Sequence, residues 1–123
     1  MTKTFDETIA AAKETLGDFS LHEFNIVKQF DLLICNGDEP IFDLTLRLTA
    51  SGNRALTILC KEIYSLSINQ FSFGFLQITG LEVIDISSRQ WERKNWEVKD
   101  YESGRLHFYC NSVAIASVND KRI

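Results

Sequence analysis

From Phe24 onward apolar side chains recur at every second position, the period of a strand rather than a helix. Phe24, Ile26, Phe30, Leu32 and Ile34 share one parity, interrupted at Lys28. The stretch FDLTLRLTA alternates most cleanly: Phe42, Leu44, Leu46, Leu48 and Ala50 face one side, and Asp43, Thr45, Arg47 and Thr49 the other. A hairpin signal, SGN at 51–53, leads to Leu56, Ile58 and Cys60. After a short break at Lys61–Glu62, Tyr64, Leu66 and Ile68 lie on one side of a further run. Phe71, Phe73 and Phe75 alternate, with a bend expected at Gly74. LQITGLEVIDIS is apolar on both parities, and Gly80 in its middle predicts a bulge that changes the buried face. Trp96–Tyr101 and Arg105–Cys110 read as a hairpin around Glu102-Ser103-Gly104, with SVAIASV following.

Only the first segment has a helical period. Thr4 and Glu7 form a T-x-x-E capping box, Phe5, Ile9, Ala12 and Leu16 make an apolar stripe, and Gly17 stands where a left-handed residue ends a helix. The expected architecture is therefore mostly β: a single domain over 1–123, with a helix at 4–17 and an antiparallel β-sandwich of about eight strands over 23–118. Short connections exclude parallel pairing, which needs long crossovers. Clean alternation implies sheets with one buried and one wet face, packed face to face, with the lone helix covering an edge or an open face.

Composition narrows the function. At 123 residues the chain can bury a sizeable core without a metal or disulfide. Its net charge of −4 argues against non-specific nucleic-acid binding, which needs clustered cations, and suits a basic partner. Cys35, Cys60 and Cys110 lie in apolar runs without C-x-x-C spacing and are expected as buried free thiols of a reducing compartment. The N-terminal stretch MTKTFDETIA lacks the apolar core of a signal peptide, so a cytoplasmic location is expected.

No catalytic motif emerges. The chain has neither a phosphate-binding glycine loop nor a G-x-S-x-G elbow. His22 and His107 lack partners at metal-ligand spacing, and no cofactor or metal is expected. Strand parity sends His107 and Cys110 to opposite faces, against a catalytic dyad. An enzyme would require His107 and two carboxylates to converge in a cleft. SRQWERKNW mixes aromatic and basic residues, but its interspersed acids dilute any grip on single-stranded nucleic acid. Trp, Tyr and Arg are instead the types enriched at protein-binding hot spots. The candidate contacts are Arg89, Trp91, Glu92, Tyr101 and Glu102, with Asp43, Glu82, Asp85 and Tyr109 as contributors from an acidic face; Trp96, which has the parity of Val98, is assigned to the core. The alternative to a binding face is a plain solvated sheet.

Three stretches carry a resemblance: LTILCKEIYSLSINQF, the I-T-G-L-E-V strand, and the closing G-R-L-H-F-Y-C-x-x-V-A-I-x-x-V hairpin. Over residues 56–118 the chain resembles small β-rich immunity proteins of bacterial toxin systems, including contact-dependent growth inhibition. The resemblance implies a non-enzymatic inhibitor that binds one cognate toxin in the producing cell's cytoplasm. The acidic charge points to a basic nuclease, plausible as a ribonuclease, and the free protein is expected to be monomeric. The competing reading is a small-molecule- or peptide-binding, self-associating β module, with residues 71–75 as dimer patch or pocket lip.

Overall fold

The helical period at the N-terminus becomes helix α1, Phe5–Leu16, in the computed structural model, which describes residues 5–17, 19–34, 41–50, 54–68, 76–77, 80–90, 94–100 and 106–120. Phe5, Thr8 and Ala12 are buried and Ile9 is half-buried, so the predicted stripe through Phe5, Ile9 and Ala12 is the docking face, with Thr8 added to it, while the side chain of Leu16 lies outside the described residues. The Thr8 hydroxyl satisfies itself by donating to the Phe5 carbonyl at 2.8 Å. Gly17 adopts φ +77° and its N–H donates to the Lys13 carbonyl at 2.9 Å, the left-handed stop that its position predicts. Thr4 of the capping box lies outside the described residues.

The strands are β1 (Ile26–Ile34), β2 (Phe42–Thr49), β3 (Arg54–Ile68), β4 (Leu76–Gln77), β5 (Leu81–Asp85), β6 (Trp96–Asp100) and β7 (Leu106–Asp120). Among the described residues they form one antiparallel sheet in the order β4-β1-β2-β3-β7-β6-β5, six full strands and the two-residue β4. The expected two-sheet sandwich of about eight strands is thus corrected to one curled sheet. Runs that read as separate strands on either side of Lys61–Glu62 are a single strand β3, and RLHFYC with SVAIASV is a single strand β7. These two, each of 15 residues, pair from Arg54↔Asp120 to Ile68↔Leu106.

Both strands bend at the same level. Cys60 and Ile63 are both buried, as are their partners Val113 and Cys110, although two residues, an even number, lie between the members of each pair. Two-residue alternation therefore fails on both strands at the same corner, and it fails again at two register shifts, between Tyr64 and Ser67, where Leu66 rather than Ser65 turns to the core, and opposite Thr57–Ile58, where Ile115 and Val118 do. On β3 the corner residue is Glu62 at φ +54°, and its N–H donates to the Asp43 carboxylate on β2 at 3.1 Å. On β7 it is Asn111, whose carbonyl and side-chain oxygens accept from the Asn95 amide at 3.2 and 2.7 Å. A side chain from each flanking strand thus replaces the ladder bonds that a corner disrupts.

Two more irregularities set which residues are inside. Lys28 is a bulge between Val27↔Leu48 and Gln29↔Arg47. It places Val27 in the core in place of the expected Ile26, while Phe30 keeps its expected side. Gly80, expected as a bulge within one strand, instead separates β4 from β5, which occupy opposite ends of the sheet order. At φ +153° it passes so close to the 3₁₀ turn Leu21–Glu23 that a Cβ would meet the His22 Cα at 2.9 Å. Gln77 and Leu81 can be at most about 14 Å apart across four Cα steps. The sheet's two ends must therefore approach each other, and the sheet curls.

The curl lets one apolar layer pack on itself. Leu44, Leu46 and Leu48 face Cys60, Ile58 and Leu56, and the layer continues through Leu106, Phe108, Val98 and Leu81. Helix α1 lies against β7, with Phe5 edge-on to Trp96 at 6.1 Å. Trp96 is thus half-buried on the core side, as its parity predicts. At the far end of β1, Leu32, Leu33 and Ile34 remain exposed.

Two outcomes follow from the corner and the core. Asp43→Ala should destabilise the fold by about 1–3 kcal/mol, because the Glu62 N–H loses its acceptor, whereas Asp43→Asn should cost less because an amide oxygen still accepts; urea unfolding measures both. Cys60 and Cys110 are buried, and hydrogen bonding to Cys110 together with burial pushes the Cys60 thiol well above its ordinary value. Native protein should therefore expose no more than one of its three thiols to a disulfide reagent near pH 8, and denaturant should release the rest.

Candidate functional site

The outer face of the sheet is built from the residues that alternate with the core. Across β5, β6, β7 and β3 the registers line them up in two transverse rows. One row runs Glu82, Lys99, His107, Ser67; the next runs Ile84, Glu97, Tyr109, Tyr64. With strands about 4.8 Å apart, each row spans about 14 Å. On β5, β6 and β7 the two rows are consecutive in register, whereas on β3 a register shift separates Tyr64 from Ser67.

Side chains tie the rows together. His107 Nε2 lies 2.8 Å from the Glu97 carboxylate, and the His107 ring stands edge-on to Tyr109 with centroids 5.0 Å apart. Lys99 and Glu82 form a looser ion pair at 3.9 Å, both partly solvated. Such an exposed pair contributes about 1 kcal/mol at most. Lys94, two residues before β6, brings its ammonium within 5.6 Å of the ring centroids of both Tyr64 and Tyr109. The Tyr64 hydroxyl donates to Glu62 at 3.4 Å. The result is a half-exposed aromatic cluster threaded with paired charges.

The sequence-derived candidates distribute as follows. Tyr109 and Glu82 lie on this face, in adjacent rows. Asp43 is on the outer side of β2 and holds the β3 corner. Asp85 ends β5, where its carboxylate accepts from the Ser87 N–H at 2.9 Å and the Ser87 hydroxyl at 2.7 Å. It thereby organises the 3₁₀ turn Ser87–Arg89, on which Arg89 is exposed. Trp91, Glu92, Tyr101 and Glu102 lie outside the described residues, as do Cys35 and residues 71–75. Sequence reasoning did not nominate Tyr64, Lys94, Glu97 and His107 as contacts. A hairpin centred at Ser103 already sets Glu97 opposite Tyr109 and Lys99 opposite His107, which was the available signal.

His107 meets one carboxylate, Glu97, on an open sheet surface. The described grooves lie elsewhere: one of about 300 Å³ between α1, the segment Phe19–His22 and β5, another of about 200 Å³ between α1 and the end of β7. Among the described residues no three His, Cys, Asp or Glu side chains converge as metal ligands.

Compared with known protein families, residues 12–116 match the family described as Immunity protein PIM8. No curated protein and no solved structure matches the chain.

The Asp85 carboxyl gives a direct check on the geometry at the end of β5. The Ser87 hydroxyl first, and the Ser87 N–H second, hold it below the ordinary aspartate range. Its stabilising share is therefore fully present above the unfolded aspartate value of about 3.9 and is lost as pH falls through the lower, folded value. Ser87→Ala should raise the Asp85 titration midpoint, followed by carboxyl NMR, and the stability difference between variant and wild type should vanish in strong acid.

Proposed function

Because the chain belongs to the Immunity protein PIM8 family, matching it over residues 12–116, we propose that it binds a cognate protein toxin stoichiometrically and blocks it without chemistry of its own. That match carries the reading. The outer face of β5, β6, β7 and β3 supports it with what a tight inhibitor needs, a rigid platform bearing tyrosines and charges. Side chains already held by neighbours lose little freedom on binding. The interface would bury about 800 Å² on each side, as stable complexes do.

A basic nuclease, and a ribonuclease in particular, is the toxin class that the net charge of −4 favours, since opposite charge speeds encounter. The inhibitor would act in the cytoplasm of the cell that makes the toxin, as a monomer until it binds. Glu82, Glu97 and Tyr109 are the described contacts on this face, and Trp91, Glu92, Tyr101 and Glu102 are retained as contacts from the adjoining segments. Arg89 and Asp85 would add rim contacts from the turn after β5.

The test is co-expression with candidate toxin domains, beginning with any encoded by the neighbouring gene. Cells should survive only when the chain is present, and the two proteins should elute as a 1:1 complex. Glu82→Lys with Glu97→Lys should slow association at least tenfold at low salt, with less effect at high salt. Survival without a complex, or a complex that leaves the toxin active, would refute stoichiometric inhibition.

A further inference from the structure

Lys94 occupies a site that its own backbone does not require. The Tyr64 and Tyr109 rings are direct cross-strand neighbours, and the Lys94 ammonium lies 5.6 Å from each ring centroid. That distance is within the reach of a cation–π contact on both rings at once. Carboxylates flank the pair: Glu62 accepts from the Tyr64 hydroxyl, and Glu97 stands beside Tyr109 in the same row, held by His107. All of these side chains are half-buried, so the rings keep an open edge. Lys94 itself precedes β6, outside the ladder, and reaches the rings with its side chain alone.

We propose that the Tyr64–Tyr109 pair is the seat for an arginine or lysine side chain of the toxin, and that Lys94 is the intramolecular occupant which that side chain displaces. The inference rests on the toxin-binding reading and adds to it the partner chemistry and the place of contact. An arginine fits best, because its planar guanidinium stacks on aromatic faces and sheds water more readily than an ammonium. Once Lys94 swings out, one positive charge leaves the neighbourhood of Glu62 and Glu97, and the seat becomes more attractive to an incoming cation. Lys94 therefore lowers apparent affinity by the fraction of molecules whose seat it fills. It also keeps the tyrosine faces covered until a stronger cation arrives.

The experiment titrates the full chain with a hexa-arginine peptide and follows the ring resonances of Tyr64 and Tyr109. Both rings should shift with the peptide, and hexa-lysine should bind more weakly. Lys94→Gln should tighten hexa-arginine binding by about fivefold, the factor expected from removing a competing cation–π contact. Tyr109→Leu should remove the gain produced by Lys94→Gln. Peptide binding that leaves both rings unmoved, or an affinity unchanged by both Lys94→Gln and Lys94→Met, would overturn the seat. Should a variant fail to fold, the wild-type ring shifts decide alone. Because the probe is a peptide, its failure leaves 1:1 toxin inhibition standing, whereas loss of rescue in co-expressing cells would strike that reading and leave the peptide result intact.

Discussion

The pairing of β3 with β7 is the constraint on which the rest depends. It joins a meander of β1, β2 and β3 to a second meander of β5, β6 and β7, and it is the longest ladder in the sheet. Because both strands turn their corner at the same level, the pair stays bonded through the bend. One ladder thus serves two directions of strand, which is why a second sheet is unnecessary. The Asp43 and Asn95 contacts belong to this constraint: each supplies, from a neighbouring strand, a bond that the corner would otherwise leave unmade.

The outer face inherits its order from that ladder. Tyr64 and Tyr109 face each other because Ile63 and Cys110 are paired one step inward. Glu97 and Lys99 join them through the β6 register. The inner face holds the same strands from below with an apolar layer, so the aromatic and charged side chains above sit on a support that resists deformation. A binding surface of this kind differs from one made of loops: its spacing is set by strand geometry, and only the side chains are free to adjust.

Much of this was legible in the sequence, and the losses have a common cause. The alternation of β2 needed no context, and neither did the helix with its Gly17 stop or the antiparallel pairing of β6 with β7. The misreadings fell where tertiary contacts hold a residue in an unfavourable conformation. Glu62 at positive φ looks from sequence like a strand break, because nothing nearby in the chain reveals that Asp43 will receive its N–H. Lys28 showed as a parity break, but only the register reveals that Val27 rather than Ile26 turns inward. Gly80 reads from sequence as a bulge inside one strand, because its contact with His22, at the break between β4 and β5, is remote in sequence. The site follows the same rule. Glu97, Lys99, His107 and Tyr109 are related by a local hairpin, whereas Tyr64 and Lys94 reach them only through a non-local strand pair and a half-turn of chain before β6.

The position of β7 has a consequence for synthesis. The strand that is made last among those described lies in the interior of the sheet, between β3 and β6. Until β7 has been made, nothing joins β3 to β6, and the outer face lacks both His107 and Tyr109. A chain cut before β7 would thus carry the Glu82–Lys99 and Ile84–Glu97 pairs but not the tyrosine pair, so the surface is assembled from its edge inward and its aromatic centre comes last.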